Sequence, residues 1–117
     1  MQKPQRNPNR ISKVNSFIQT ILGPILKERL EEEKGLVTIS RVETSRDMKW
    51  AKVWISILGG DDDRILQAIQ KNIYDIQGDV NASFATKIVP RLQFFLDTTP
   101  RYAQHIEELI KKTQEEE

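Results

Sequence analysis

The chain has 117 residues, with 18 Lys plus Arg, 17 Asp plus Glu, one His and no Cys, for a formal charge of +1. This length suits a single domain with its own core, which needs neither a disulfide nor a structural metal. The missing Cys excludes cysteine-based zinc sites, thiol catalysis and redox switching, and the net charge points to no particular partner. No apolar run approaches the roughly 20 residues of a membrane helix. The basic start is not followed by the apolar stretch of a secretory signal. The expected location is the cytoplasm.

Charge is unevenly placed. Lys3, Arg6, Arg10, Lys13 and Lys27 occupy residues 1–27 with no acid among them, whereas acids run together at 31–33, 61–63 and 115–117. A basic arm on a neutral body can neutralise phosphates while acidic faces stay away from them. A solvated tail with ordinary surface acids is the simpler account of charge alone.

Residues 1–8 carry Gln, Asn, Pro and basic residues without apolar period, and read as a flexible basic arm. A helical stripe follows through Ile11, Val14, Ile18, Ile21, Leu22, Ile25, Leu26 and Leu30, with Asn9 as its cap. Gly23 and Pro24 interrupt it and predict a kink or two short helices, because Pro lacks the amide hydrogen and clashes with the preceding turn. Gly35 is a stop signal. Residues 36–43 read as a strand, 44–49 as a turn and 50–58 as a second strand. In the second strand Ala51, Val53, Ile55 and Ile57 share one face, and Trp50, Lys52, Trp54, Ser56 and Leu58 the other. The pair predicts an antiparallel hairpin.

Gly59 and Gly60 break the strand, and Asp61, Asp62 and Asp63 supply a cap and acids to a helix start. Ile65, Leu66, Ile69, Ile73 and Ile76 make its stripe. Gly78 is read as a weak break, with a further helix from near 77 to 87 carrying Val80 and Phe84, ended by Pro90. Residues 91–97 alternate as a strand with Leu92, Phe94 and Leu96 on one face. Pro100 suits a helix start, and Ile106, Leu109 and Ile110 mark a last amphipathic helix. The expected class is α+β, in the order α-β-β-α-α-β-α, with a three-stranded sheet, helices on one face and one parallel or mixed pairing. The domain is placed at 9–112, with an acidic tail at 113–117.

Enzyme readings are poor. His105 is the single His, with no Cys and no nucleophile context beside it. The aspartates at 61–63 lack a calcium-loop pattern, and Gly59-Gly60 is not followed by the Lys of a phosphate loop. No metal, cofactor or small-molecule substrate is expected. Trp50, Trp54 and Phe95 fall on the strand face opposite the small aliphatics; an exposed aromatic sheet face can stack bases, but such residues are more often core or covered by a terminal helix. The last helix, with Tyr102, is the candidate cover.

Five segments together carry a family resemblance. Val14-Asn15 with Ile18, Ile25 and Leu26 opens it, and residues 35–39 (GLVTI) follow. Residues 42–48 (VETSRDM) match a V-x-x-S-x-D turn, and residues 51–56 (AKVWIS) an A-x-V-aromatic-Ile/Val-S strand. Residues 89–99 (VPRLQFFLDTT) match V-P-x-L-x-F-x-x-D-x-Ser/Thr, and residues 105–109 (HIEEL) fit a closing helix. Over nearly its whole length the chain resembles the ribosome-binding factor A family of bacterial small-subunit assembly factors. The resemblance implies a type II KH-like fold and no enzymatic activity. It also implies binding to the maturing 30S subunit and its 16S ribosomal RNA, including processing or folding of the 5′ region, and a role in cold adaptation. The sequence departs from the family where an Ala-x-Gly kink often joins the two central helices: by register this is Asn72-Ile73-Tyr74. Gly78 is a candidate to displace the kink, and Gly23-Pro24 replaces ordinary helix formers.

The expected RNA-binding group is Arg6, Arg10 and Lys13 from the arm and helix start, Lys71 and Asn72 at the helix junction, and Lys87 and Arg91 before the last strand. Arg46 and Lys49 at the strand turn form a second set. These residues would position phosphates rather than read bases. A monomer is the default. The competing readings are a protein-interaction adaptor without direct RNA binding, and an enzyme resting on Asp47 and Asp97, whose turn positions are explained by turn hydrogen bonds.

Overall fold

The computed structural model describes residues 8–98. Its elements are α1 (Pro8–Arg29), β1 (Leu36–Thr44), β2 (Trp50–Leu58), α2 (Asp62–Lys71), α3 (Ile73–Ser83) and β3 (Arg91–Leu96). The order α-β-β-α-α-β and the α+β class agree with the sequence reading. Arg6, His105, most of the basic arm, the last helix and the acidic tail lie outside the described residues.

The helix α1 begins on Pro8, whose fixed φ suits a first helical position, so Asn9 lies inside the helix rather than before it. It is one helix, not two, although Pro24 sits within it. Gly23 and Pro24 are exposed while Leu22 and Leu26 are buried. The carbonyl that Pro24 leaves without an amide partner belongs to exposed Thr20, a position where solvent can supply the lost bond.

The sheet order is β1-β2-β3. The hairpin pairs antiparallel, Leu36 opposite Leu58 through Thr44 opposite Ala51, with a bulge between Ile39 and Arg41. The bulge shifts the alternation, so Ile39 and Val42 both reach the core while Arg41 and Glu43 face outward. Strand β3 adds parallel to β2, Trp50 beside Arg91 and Ile55 beside Leu96. The face carrying Ala51, Val53, Ile55 and Ile57 is buried with Leu92 and Phe94 against Ile18, Leu22 and Leu26 of α1, Ile65 and Ile69 of α2, and Ile76 and Val80 of α3. Helices cover one face of the sheet, as the alternation requires.

The acidic start of α2 behaves as expected, with the Asp61 side chain accepting from the Arg64 amide. The break between the central helices falls at Asn72 and not near Gly78, which corrects the periodicity reading. The Asn72 side chain donates to the Ala68 carbonyl, and its backbone N–H is shared between Ala68 and Ile69. An Asn that satisfies the helix end in this way competes with continuation. The exposed Gly78 is carried inside α3. That helix stops at Ser83, short of the expected 87, where Phe84 turns extended and packs edge-on against Phe17 of α1 with ring centroids 5.0 Å apart.

Arg29 grips Asp79 through two nitrogens at 2.8 and 2.9 Å and ties the end of α1 to α3. The hydrogen bond from Arg29 holds the Asp79 carboxyl below its usual pKa. A carboxylate with a depressed folded pKa contributes stability above its unfolded pKa, and that stability is lost as pH falls through the folded value. Asp79→Asn is therefore expected to lower the melting temperature modestly at neutral pH. The gap to the wild type should close as pH falls through and below the ordinary carboxylate range. A gap that persists unchanged at the acid limit of the melts would sink this assignment.

Candidate nucleic-acid interface

The basic residues expected to bind RNA divide into two places. Arg10 and Lys13 of α1 line a cleft of about 400 Å³ together with Met48 of the hairpin turn and Ala85, Thr86 and Ile88 of the loop before β3. Met48 sits between Arg46 and Lys49 in sequence, and Lys87 sits between two lining residues. Arg91 joins them because its amide donates to the Lys49 carbonyl at 2.9 Å. Arg10, Lys13, Arg46, Lys49, Lys87 and Arg91 thus converge on one end of the domain, and all six are exposed.

The local chemistry holds this end rigid. Asp47 accepts from the Ser45 hydroxyl at 2.6 Å and from the Lys49 amide at 3.0 Å, while the Trp50 amide donates to Ser45 Oγ. The turn is locked by its own side chains, and Asp47 is engaged there. Met48 occupies the left-handed region at φ 63° and is buried. Its burial offsets the roughly 1–2 kcal/mol that such a conformation costs a residue with a Cβ. Asn15 of α1 accepts from both the amide and hydroxyl of Thr44, at 2.9 and 2.6 Å, and so fixes the helix start beside the turn. Gln77 of α3 accepts from the Leu92 amide and donates to the Pro90 carbonyl, which clips the first residues of β3 in place. No periodicity in the sequence marks Gln77 for this role.

The start of α1 has no acid in its first turn, although a helix N-terminus favours negative charge. Arg10 and Lys13 there act against helix stability, and an anion docking at that end would relieve the conflict.

Lys71 and Asn72 are elsewhere. They line a separate cleft with Glu28, Glu31, Glu32, Glu33 and Arg64, and Arg64 pairs with Glu33 at 3.0 Å. The surrounding carboxylates oppose a phosphate, and the Asn72 amide is spent on the helix end.

The outer sheet face is open among the described residues. Trp54 stacks on Phe95 with centroids 5.5 Å apart, and the Arg41 guanidinium lies 4.1 Å from the Trp54 ring. The helix expected to cover this face falls outside the described residues. Among the described residues, no cluster of His, Asp or Glu could hold a metal, and no helix is long and apolar enough to cross a membrane.

A family model described as ribosome-binding factor A matches residues 10–110. The chain belongs to the ribosome-binding factor A family. The ribosome-binding factor A of Clostridium novyi is 26% identical over 110 residues, covering 91% of each chain. That of Francisella tularensis subsp. novicida is 30% identical over 108 residues, 91% of this chain and 76% of its own. The crystal structure of ribosome-binding factor A from Thermus thermophilus shares the fold with a TM-score of 0.62, at 17% identity over 74% of this chain and 94% of that one. A homology model of the Thermus factor, fitted into a cryo-electron microscopy map of a 30S–factor complex, gives 0.55, at 17% identity over 70% and 93% of the two chains. The KH-like α-β-β-α-α-β order of the described residues is therefore that of ribosome-binding factor A. Its motifs also acquire physical meaning here. The S-x-D pair locks the hairpin turn, and the V-P-x-L-x-F segment supplies buried Pro90, Leu92 and Phe94.

Proposed function

We propose that this chain binds the small ribosomal subunit during its late maturation, through 16S ribosomal RNA, and so assists folding or processing of the RNA's 5′ region. The convergence of Arg10, Lys13, Arg46, Lys49, Lys87 and Arg91 on one rigid end carries this reading. Family membership and the 30S complex of the Thermus factor support it. A compact set of cations positioned for phosphates recognises RNA shape without reading much sequence. Binding that favours one local RNA conformation shifts its population and needs no chemistry. In this reading the protein acts as a cytoplasmic monomer in cold adaptation, has no enzymatic activity, and Arg6 extends the basic end from its arm. In this reading the domain runs to 112 between the arm and the acidic tail, and it starts at Pro8, where α1 begins, rather than at 9. Lys71 and Asn72 contribute less than the other residues because of their acidic surroundings.

The test is sedimentation of the protein with cell ribosomes through sucrose gradients at low and raised salt. The expected result is association with free small subunits and not with translating ribosomes, lost as salt rises. Association that is indifferent to salt and survives nuclease treatment would move the function to a protein-interaction adaptor.

A further inference from the structure

The ring of Trp50 lies where the basic end meets the open sheet face. Trp50 is 42% exposed, although Trp is normally well buried. Its neighbour across the parallel pairing is Arg91, whose guanidinium lies 5.9 Å from the Trp50 ring. Lys49 precedes it, and Lys52 shares its face of β2; both are exposed. Of the nearby acids, Asp47 is engaged in the turn, and Glu43, which lies opposite Lys52 in the hairpin, makes an exposed contact with Arg41 at 3.7 Å. Trp54 on the same face is different, because Arg41 and Phe95 pack on its ring. Among the described residues no other aromatic stacks on the Trp50 ring, and β3 runs from Arg91 beside Trp50 to Leu96 beside Ile55, away from that ring.

We propose that Trp50 is a stacking platform for one unpaired base of RNA, whose flanking phosphates are held by Lys49, Lys52 and Arg91. An aromatic face with cations around it matches a single-stranded nucleotide in both shape and charge, and every base offers a π-face. A paired base inside an RNA duplex has no free face to offer. The inference rests on the RNA-binding reading above and gives it a second surface beside the cleft lined by Arg10 and Lys13.

The protein has two Trp residues, so each can be read alone. Trp54→Phe leaves Trp50 as the reporter, and Trp50→Phe leaves Trp54. Each full-length variant is titrated with a single-stranded oligouridylate and with an RNA duplex of equal length. Trp50 emission should be quenched by the single strand and not by the duplex, with Trp54 emission unchanged. Trp50→Ala should weaken single-strand affinity roughly 5- to 150-fold with the salt slope retained, because the phosphate contacts remain. Should Trp54→Phe perturb the fold, quenching of the wild type and the Trp50→Ala affinity decide the matter. A wild type that binds RNA while Trp50 stays silent and Trp50→Ala binds equally well would overturn the stacking and leave the RNA reading standing. A wild type that binds neither RNA would overturn both. Trp50 emission shielded from acrylamide in the free protein would show the ring to be covered by residues 99–117, and would also overturn the proposal.

Discussion

Reversing Arg10 and Lys13 to Glu is expected to release the protein from small subunits while leaving its melting temperature nearly unchanged. Both side chains are exposed on the first turns of α1, and both line the cleft shared with the hairpin turn and the loop before β3. A charge-assisted contact contributes about 1.5–3 kcal/mol, so the loss of two corresponds to about tenfold or more in affinity for each. Reversal adds repulsion to that loss. The slope of log affinity against log salt should also fall by about 0.7–0.9 for each phosphate contact removed. Stability should hold, since acids near a helix N-terminus are favourable by about 0.3–1 kcal/mol each. Lys71→Glu, in its acidic cleft, is the internal comparison and should weaken binding much less. Gradient co-sedimentation together with thermal melts checks all three variants. Equal retention of the double variant and the wild type on small subunits would move the binding surface away from this end.

The largest expected stability effect comes from one methyl group at Gly60. A Cβ there would collide with the backbone carbonyl of Lys34 and crowd the Cα of Gly35 at 3.2 Å. From the other side, a Cβ on Gly35 would meet the Gly60 Cα at 2.9 Å, and Gly35 already sits at φ 120°. The obstacles are main-chain atoms where the start of β1 faces the end of β2, so no side chain can swing aside. Relief requires the strand ends to part, and Gly60→Ala should cost about 2–4 kcal/mol. Gly78→Ala is the opposite case. That position is exposed in the middle of α3 with nothing within 4 Å of an added Cβ. It should gain about 0.5–1 kcal/mol from helix propensity and reduced unfolded-state entropy. Denaturant melts of the two variants test the pair. A Gly60→Ala protein as stable as the wild type would show that the strand ends have room to separate.

That contrast also marks how differently two glycines can be read from sequence. Gly60 was legible as the end of a strand, but its need to lack a side chain comes from Lys34 and Gly35, which only the folded hairpin brings near. Gly78 looked like a helix break because it follows a continuous apolar stripe. The real break is at Asn72, where the side chain bonds to the Ala68 carbonyl. The stripe from Ile65 to Ile76 is unbroken, so periodicity could not locate this break; the register of the family resemblance did place it. Pro24 shows the same limit. Of the kink or two short helices that its local cost predicts, the two helices are not found: Pro24 lies on the solvent side of a continuous α1, where the lost bond is cheap.

The basic residues were individually legible and collectively not. Arg46 and Lys49 lie more than thirty positions from Arg10 and Lys13, and Lys87 and Arg91 lie farther still. The Asn15–Thr44 bonds, the parallel pairing of β3 with β2 and the Gln77 clip bring them to one end. The same architecture leaves Lys71 among glutamates, although its place at the helix junction, read from the register of the family resemblance, grouped it with the others.

Alternation, helical spacing and capping residues by themselves determined the hairpin, the division of its second strand into two faces, the acidic cap of α2 and the α+β order, because these depend on residues within one or two turns of each other. The sharing of the cations between two clefts, the exposure of Trp50 beside Arg91 and the intolerance of Gly60 were decided by tertiary structure. Each depends on which distant backbone a residue meets, and that is set by β3 docking parallel beside β2 and by α1 packing across the hairpin.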